Sequence, residues 1–231
     1  MTLKILDTGK AYPQVNMDLD KELLNNLDDT PILHTYDWEG PAATHGHFIK
    51  PEQFLNLEKA SDHGLRLGRR PTGGGIIFHV SDYAFSLLVP ASHPLYSENT
   101  LENYQMVNGC VKRAVQAFLD QTPNLLPIDP VPLDESTAHF CMAKPTIYDV
   151  MLGPYKIAGA AQRRTKRGFL HQGSISLTMP PSQLLQDVLL HESVKSAMGQ
   201  NTLSLLGDKT IFEARSQIAD LVKTEFAQKF D

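Results

Sequence analysis

Arg69-Arg70-Pro71-Thr72-Gly73-Gly74-Gly75-Ile76-Ile77-Phe78-His79 sets two cations, a hydroxyl and three consecutive glycines directly before an apolar, strand-like run. Without a Cβ, Gly73, Gly74 and Gly75 can take positive φ and bring backbone N–H groups close to a phosphate or carboxylate. Arg69 and Arg70 add forked, permanently charged donors. No Gly-Lys-Ser/Thr closes the stretch and its glycines are contiguous, which excludes a P-loop and a G-x-G-x-x-G dinucleotide turn. A flexible turn is the plain alternative for three glycines in a row. The adjacent arginines favour an anion site.

Around this loop lie 231 residues carrying a net charge of −5, enough chain for one domain with a sizeable core. We expect a single catalytic domain over residues 1–231. The acidic balance argues against a general nucleic-acid binder, so the basic residues at positions 66 to 70 read as local. No apolar run approaches the length of a membrane span and Met1 to Lys10 lacks the core of a secretion signal, so a cytoplasmic enzyme is expected. Cys110 and Cys141 make neither a disulfide framework nor a paired-thiol zinc site.

Helical and strand periods alternate without a repeat or a low-complexity linker, the pattern of one mixed α/β unit. Strands are expected at Leu3 to Leu6, Ile32 to Tyr36, Thr44 to Phe48, Thr146 to Leu152, Tyr155 to Ala158 and Phe169 to Leu177. Ile76 to His79 and Ala84 to Val89 read as a strand pair. Helices are expected at Asn16 to Leu27, in a short segment from Pro51, from Leu101 to Leu119 under an Asn99 cap, and at Gln183 to His191 and Thr210 to Phe230. Tyr104, Val107, Val111, Val115 and Phe118 would form one buried stripe, and Ile211, Ile218, Leu221, Val222 and Phe226 another. Proline-rich Pro123 to Pro132 reads as a surface crossing.

The second constellation is Lys156-Ile157-Ala158-Gly159-Ala160-Ala161-Gln162, a lysine in a short apolar strand followed by small residues. Alone, such a lysine is either a solvent-facing strand residue or a partly desolvated cation awaiting an anion. The small residues leave room for a ligand across the strand, or for tight packing of two elements.

Together, Arg69-Arg70-x-Thr72-Gly73-Gly74-Gly75 and Lys156-x-x-Gly159-x-Ala161-Gln162 resemble the lipoate-protein ligase A and octanoyltransferase family. Asn16-Met17-x-x-Asp20 and His171-Gln172-Gly173-Ser174 look like further landmarks, so the resemblance runs over most of the chain. It implies an α+β fold of mixed β-sheets with helices packed on their faces, the biotin/lipoate ligase catalytic-domain fold. It also implies joining lipoate or octanoate to a lysine of lipoyl domains, those of the E2 subunits of 2-oxoacid dehydrogenases or the glycine cleavage H protein. By the same resemblance Arg70, Thr72, Gly73, Gly74, Gly75, His79, Gly159 and Ala161 would hold the substrate or its adenylate, with Lys156 stabilising charge on the acyl carbonyl. An apolar tunnel for the tail is expected among Ile76, Phe78, Ile147 and Ala158.

Cys141 divides the family. Its segment His139-Phe140-Cys141-Met142-Ala143-Lys144-Pro145-Thr146-x-Tyr148-Asp149 is similar to the one bearing the nucleophile in one class of octanoyltransferases, where a thiolate takes the chain from acyl carrier protein. Lys144 or Lys156 would then favour the thiolate, whereas the plain reading is a cysteine filling apolar space. The uninterrupted glycines are the form usual in ligases, so the leading expectation is ATP-dependent ligation through an acyl adenylate. ATP and Mg²⁺ are then needed, with the metal held by phosphates. The alternative is Cys141-dependent octanoyl transfer, and a non-catalytic acyl-binding module is a third reading. With only about fifty residues after the matched core, no full C-terminal accessory domain of the kind many ligases carry is expected.

Two departures from the family pattern affect the histidines. His79 is followed by Val80, with Asp82 beyond, where an aspartate is usual directly after the histidine. Gln172 stands where a histidine commonly precedes the glycine, with His171 one step earlier. His45 and His47 would share a strand face and could bind a metal only with a third ligand, which no nearby residue supplies.

Overall fold

The structure, a computed structural model, describes residues 2–80, 82–129, 139–203, 205–206 and 209–230. Its strands are β1 (Lys4–Ala11), β2 (Ile32–Trp38), β3 (Ala42–His45), β4 (Arg66–Arg69), β5 (Ile76–Phe78), β6 (Asp82–Pro90), β7 (Asn124–Leu125), β8 (Val150–Leu152), β9 (Tyr155–Thr165) and β10 (Gly168–Ser176). Its helices are α1 (Pro13–Asn25), α2 (Leu57–Asp62), α3 (Thr100–Leu119), α4 (Ser182–Val188), α5 (Glu192–Asn201) and α6 (Ile211–Phe230). Among the described residues, the larger sheet has the order β1-β2-β6-β10-β9-β8-β7 and a smaller one the order β4-β3-β5. Each contains one parallel pair, β1 with β2 and β3 with β4; the other pairings are antiparallel. This is the expected α+β architecture of mixed sheets with helices on their faces.

Strand β6 explains how the large sheet is covered. Every one of its residues is buried, because alternate side chains enter two different cores. Tyr83, Phe85, Leu87 and Val89 pack with Val107, Val111 and Val115 of α3 and Ile218, Val222 and Phe226 of α6. On the other face, Ala84 joins Met17 of α1 and Tyr36 and Trp38 of β2, while Leu88 joins Leu24 and Leu170. The small sheet has its own core, in which Ala43, Ile76, Phe78 and Phe140 meet Leu184, Leu185 and Val188 of α4.

Several boundaries moved for tertiary reasons. Ile76–Phe78 and Asp82–Pro90 lie in different sheets rather than forming a pair. β3 stops at His45 instead of reaching Phe48, because Gly46 turns the chain against the glycine loop; Arg66–Arg69, to which the sequence pattern assigns no element, is the parallel partner of β3. Thr146 and Ile147 precede β8 in irregular chain, the Thr146 amide being bonded to the Asp149 carboxylate rather than to a neighbouring strand. The expected helix to His191 ends at Val188, where Leu189 bridges to Leu55 and the Leu190 amide bonds the Phe54 carbonyl. The same strap begins α5, which the sequence reading missed. Ile211, assigned to the buried stripe of α6, is 40% exposed. The expected crossing from Pro123 to Pro132 falls partly on residues 130–138, outside the described residues. No helix among the described residues is long and apolar enough to cross a membrane.

Candidate active site

The segment carrying Cys141 runs along β5. The Ile76 amide donates to the His139 carbonyl at 2.7 Å and the Cys141 amide to the Ile76 carbonyl at 3.0 Å, while Phe140 anchors the segment in the small core. Two of the three loop glycines have a structural reason, one of them this approach. A Cβ on Gly75 would lie 2.1 Å from the His139 carbonyl oxygen, so a side chain there would displace the cysteine segment. Gly74 has φ +85°, and its carbonyl oxygen passes where a Cβ on Gly46 would lie at 2.0 Å. Gly73 faces open space.

Arg70 is buried inside the loop. Nη1 donates to the Thr44 carbonyl at 3.0 Å and the Thr44 hydroxyl at 2.8 Å, and Nη2 to the carbonyls of Gly73 at 3.1 Å and Gly75 at 2.7 Å. Burial pulls the guanidinium below its ordinary pKa, while the neighbouring Cys141 sulfur opposes that. A Cβ on Gly74 would lie 3.2 Å from Arg70 Nη2 and 3.8 Å from Cys141 Sγ, so cation and sulfur share this corner. Arg69, by contrast, is exposed and its amide bonds the Gln14 side chain.

On the other side of the cysteine, the Lys156 ammonium donates to the Cys141 carbonyl at 2.8 Å and pairs with Asp149 Oδ2 at 2.7 Å. Both are buried. Burial pushes the Asp149 carboxyl above its ordinary pKa, opposed by Lys156 and by donation from the amide and hydroxyl of Thr146. A Cβ on Gly159 would sit 2.5 Å from Lys156 Cε and 2.8 Å from Asp149 Oδ1. The glycine after the lysine is therefore the space in which this ion pair lies. Tyr148, at φ +65°, makes the turn that delivers Asp149.

These groups open onto a cavity of about 190 Å³. Arg70, Cys141 and Lys156 stand at its polar part, while Met17, Tyr36, Trp38, Phe78, Ala84 and Ala158 contribute apolar wall. Of the expected tunnel residues, Phe78 and Ala158 are present; Ile76 is core, and the Ile147 amide is tied to Asp129. Met17, Tyr36 and Trp38 were missed because alternation assigns a side chain to a face without saying which cavity that face borders. Gly74, Gly75, His79, Gly159 and Ala161 line the same space. Thr72 does not; its hydroxyl donates to Gln172 Oε1 at 2.6 Å, and Gln172 Nε2 donates to Asp20 at 2.6 Å, linking the loop to α1. Asp20 also accepts from Ser86 at 2.6 Å and lies 2.7 Å from His34 Nδ1.

The histidines separate. His79 lies in the cavity wall with Nδ1 2.7 Å from Asp82 Oδ2, so the aspartate missing next to it returns three residues on. His171 points to the opposite face of β10, fully buried against Phe85 and Tyr104, where burial holds its pKa down to about 3. Burial likewise pushes the Tyr104 hydroxyl up to about 12. His45 Nδ1 lies 3.2 Å from the Gly46 carbonyl and His47 packs on Phe48. Among the described residues no group of three His, Cys, Asp or Glu converges as a metal site.

The family model of the lipoyl protein ligase A/B catalytic domain matches residues 12–205. The chain belongs to this family. Relatives of this lipoyl ligase A/B domain include octanoyltransferase LipM of Geobacillus kaustophilus strain HTA426, 28% identical over 217 residues covering 87% of this chain and 78% of the relative. LipM of Lysinibacillus sphaericus strain C3-41 is 29% identical over 190 residues, 80% of this chain and 69% of the relative. In fold, the domain is similar to a lipoate-protein ligase A bound with ATP, with a TM-score of 0.75 at 20% identity over 99% of this chain and 85% of the other. A bi-partite lipoate protein ligase from Thermoplasma acidophilum gives 0.76 at 18% identity, over 99% and 84%.

These relatives overturn the expectation of ATP-dependent ligation, since those similar in sequence bear the name octanoyltransferase and the ligases share the fold. The misreading has a physical source in the loop. Its uninterrupted glycines read as a phosphate cradle, yet Gly75 admits the Cys141 segment and the terminal nitrogens of Arg70 are committed to Thr44 and to loop carbonyls. The terminal nitrogens of Arg70 are thus already occupied by the protein itself, and no step below is routed through ATP or Mg²⁺.

Proposed function

We propose that this enzyme moves an octanoyl group from acyl carrier protein to the lysine of a lipoyl domain, carrying it on Cys141. One juxtaposition supports the reading above all: a partly exposed cysteine sulfur beside the buried Arg70 guanidinium, with the Lys156–Asp149 pair on its own carbonyl, at the polar part of an apolar cavity.

In the first half-reaction the Cys141 thiolate attacks the carrier thioester. A bond forms from Sγ to the acyl carbon, the bond to the carrier sulfur breaks, and that sulfur leaves as a thiolate that takes up a proton. Arg70 faces the attacking sulfur and, being buried, compensates its negative charge with less screening than in bulk water. In the second half-reaction the neutral amine of the lipoyl-domain lysine attacks the same carbon, the C–S bond breaks, and the amine's surplus proton ends on Cys141. Lys156 brings positive charge to where carbonyl oxygen becomes anionic in both halves, without reorganising. Asp149 and Gly159 fix its position. The octanoyl tail lies along Phe78, Ala84 and Met17. The lipoyl domain named with the Thermoplasma acidophilum ligase is the class of acceptor this reading requires.

The reading is tested by Cys141→Ser. With octanoyl carrier protein and a lipoyl domain, and no ATP, the unsubstituted protein is expected to octanoylate the domain and the variant to lose at least about 10³-fold in rate. Undiminished transfer by the variant would remove the covalent route.

A further inference from the structure

We infer that Asp82, His79 and Thr44 form a positioning relay for Arg70, and through it for the sulfur of Cys141. This rests on the reading of Cys141 as the nucleophile. The chain of contacts starts at Arg70, whose guanidinium can only donate. Nη1 donates to Thr44 Oγ1 at 2.8 Å, so that oxygen is an acceptor. The hydroxyl's own proton then goes to His79 Nε2, 2.8 Å away. The Asp82 carboxylate can only accept, so His79 Nδ1, 2.7 Å from Oδ2, carries the imidazole proton, and in the neutral ring Nε2 holds the lone pair that takes the Thr44 proton. Ser174 donates to the same carboxylate oxygen at 2.5 Å. Each member is buried and has the next as its hydrogen-bond partner.

The ring itself is clamped. Trp38 stacks on His79 at 4.3 Å between centroids and 28° between planes, which holds the imidazole plane and with it the direction of Nε2. The relay spans β3, the loop after β5 and the start of β6, so it also ties the small sheet to the large one at the cavity wall. His79 thus acts through Thr44 on the cation beside the sulfur, rather than on a substrate proton.

Alkylation of Cys141 by iodoacetamide reads the sulfur's surroundings without needing turnover, with peptide mass spectrometry separating it from buried Cys110. Thr44→Val keeps the shape and deletes the hydroxyl, and is expected to slow alkylation at neutral pH about tenfold, the lower end of the worth of one hydrogen bond to a charged group. Thr44→Ser restores the rate. His79→Phe preserves the stack on Trp38, removes both nitrogens, and is expected to slow alkylation by a smaller factor. In the unsubstituted protein, long-range ¹H–¹⁵N spectra should show His79 as the tautomer protonated on Nδ1. Alkylation of Thr44→Val at the unsubstituted rate, or a proton found on Nε2, overturns the relay; should Thr44→Val fail to fold, His79→Phe and the tautomer decide it. Slowed alkylation in a protein that transfers no octanoyl group would instead sink the proposed function and leave the relay standing.

Discussion

Gly159 sets a geometric demand on the charged pair at the site. A Cβ there would fall 2.5 Å from Lys156 Cε and 2.6 Å from its Nζ, and the lysine cannot withdraw without abandoning Asp149. Gly159→Ala is therefore expected to lower octanoyl transfer about a hundredfold, as losing one preorganised charge does, while far-ultraviolet circular dichroism stays native. A variant that transfers normally would show that Lys156 need not hold this position. Lys156, Arg70 and Cys141 were legible in the sequence because each is an unlike residue in its surroundings: a charge in an apolar strand, paired arginines before glycines, a thiol between Phe140 and Met142. Asp149 was not, since nothing in Tyr148-Asp149 announces a turn at φ +65° that buries a carboxylate beside a lysine.

Among the elements, α3 and α6 could be read closely, because each buries one stripe and Asn99 caps α3 by accepting from the Leu101 amide. Together they close the back of the sheet whose front bears the site. Phe226, fully buried and 5.5 Å from the Phe85 ring, is expected to cost about 3–5 kcal/mol on truncation to Ala, measured by urea unfolding. A loss below about 1 kcal/mol would mean that the α6 seam is not the packing that holds β6.

β9 was read too short, because past Ala158 its residues are small or cationic and lack the apolar alternation of a strand. It extends to Thr165 by pairing with β10, an interaction no local pattern announces. On β10 successive residues go to opposite faces, which sends Gln172 to the site side and His171 into the core. Because burial holds folded His171 down at about 3, below an unfolded value of ~6.5, the unfolded chain takes up the proton first. Stability is then full above ~6.5 and falls with pH toward 3, by up to about 1.4 kcal/mol per unit. Urea unfolding of the unsubstituted protein and of His171→Phe should diverge by about 2 kcal/mol between pH ~7 and pH ~5; parallel curves would contradict the buried neutral imidazole.

At the scale of the molecule, the site lies where the two sheets meet. The small sheet supplies Arg70 and the glycine loop, the large sheet supplies Lys156, and the cysteine segment passes along β5 between them. That meeting is why the loop misled. In sequence, three glycines beside two arginines describe an anion cradle, and only the packing of His139 against Gly75 shows that much of their freedom serves the chain itself. The central claim is that the acyl group rests on Cys141. Intact-mass and peptide mass spectrometry of the protein mixed with octanoyl carrier protein, without ATP, tests it most directly. The expected result is one octanoyl thioester, mapped to Cys141 and discharged when a lipoyl domain is added; an octanoylated lipoyl domain formed by Cys141→Ser, with no acylated enzyme at any time, would contradict it.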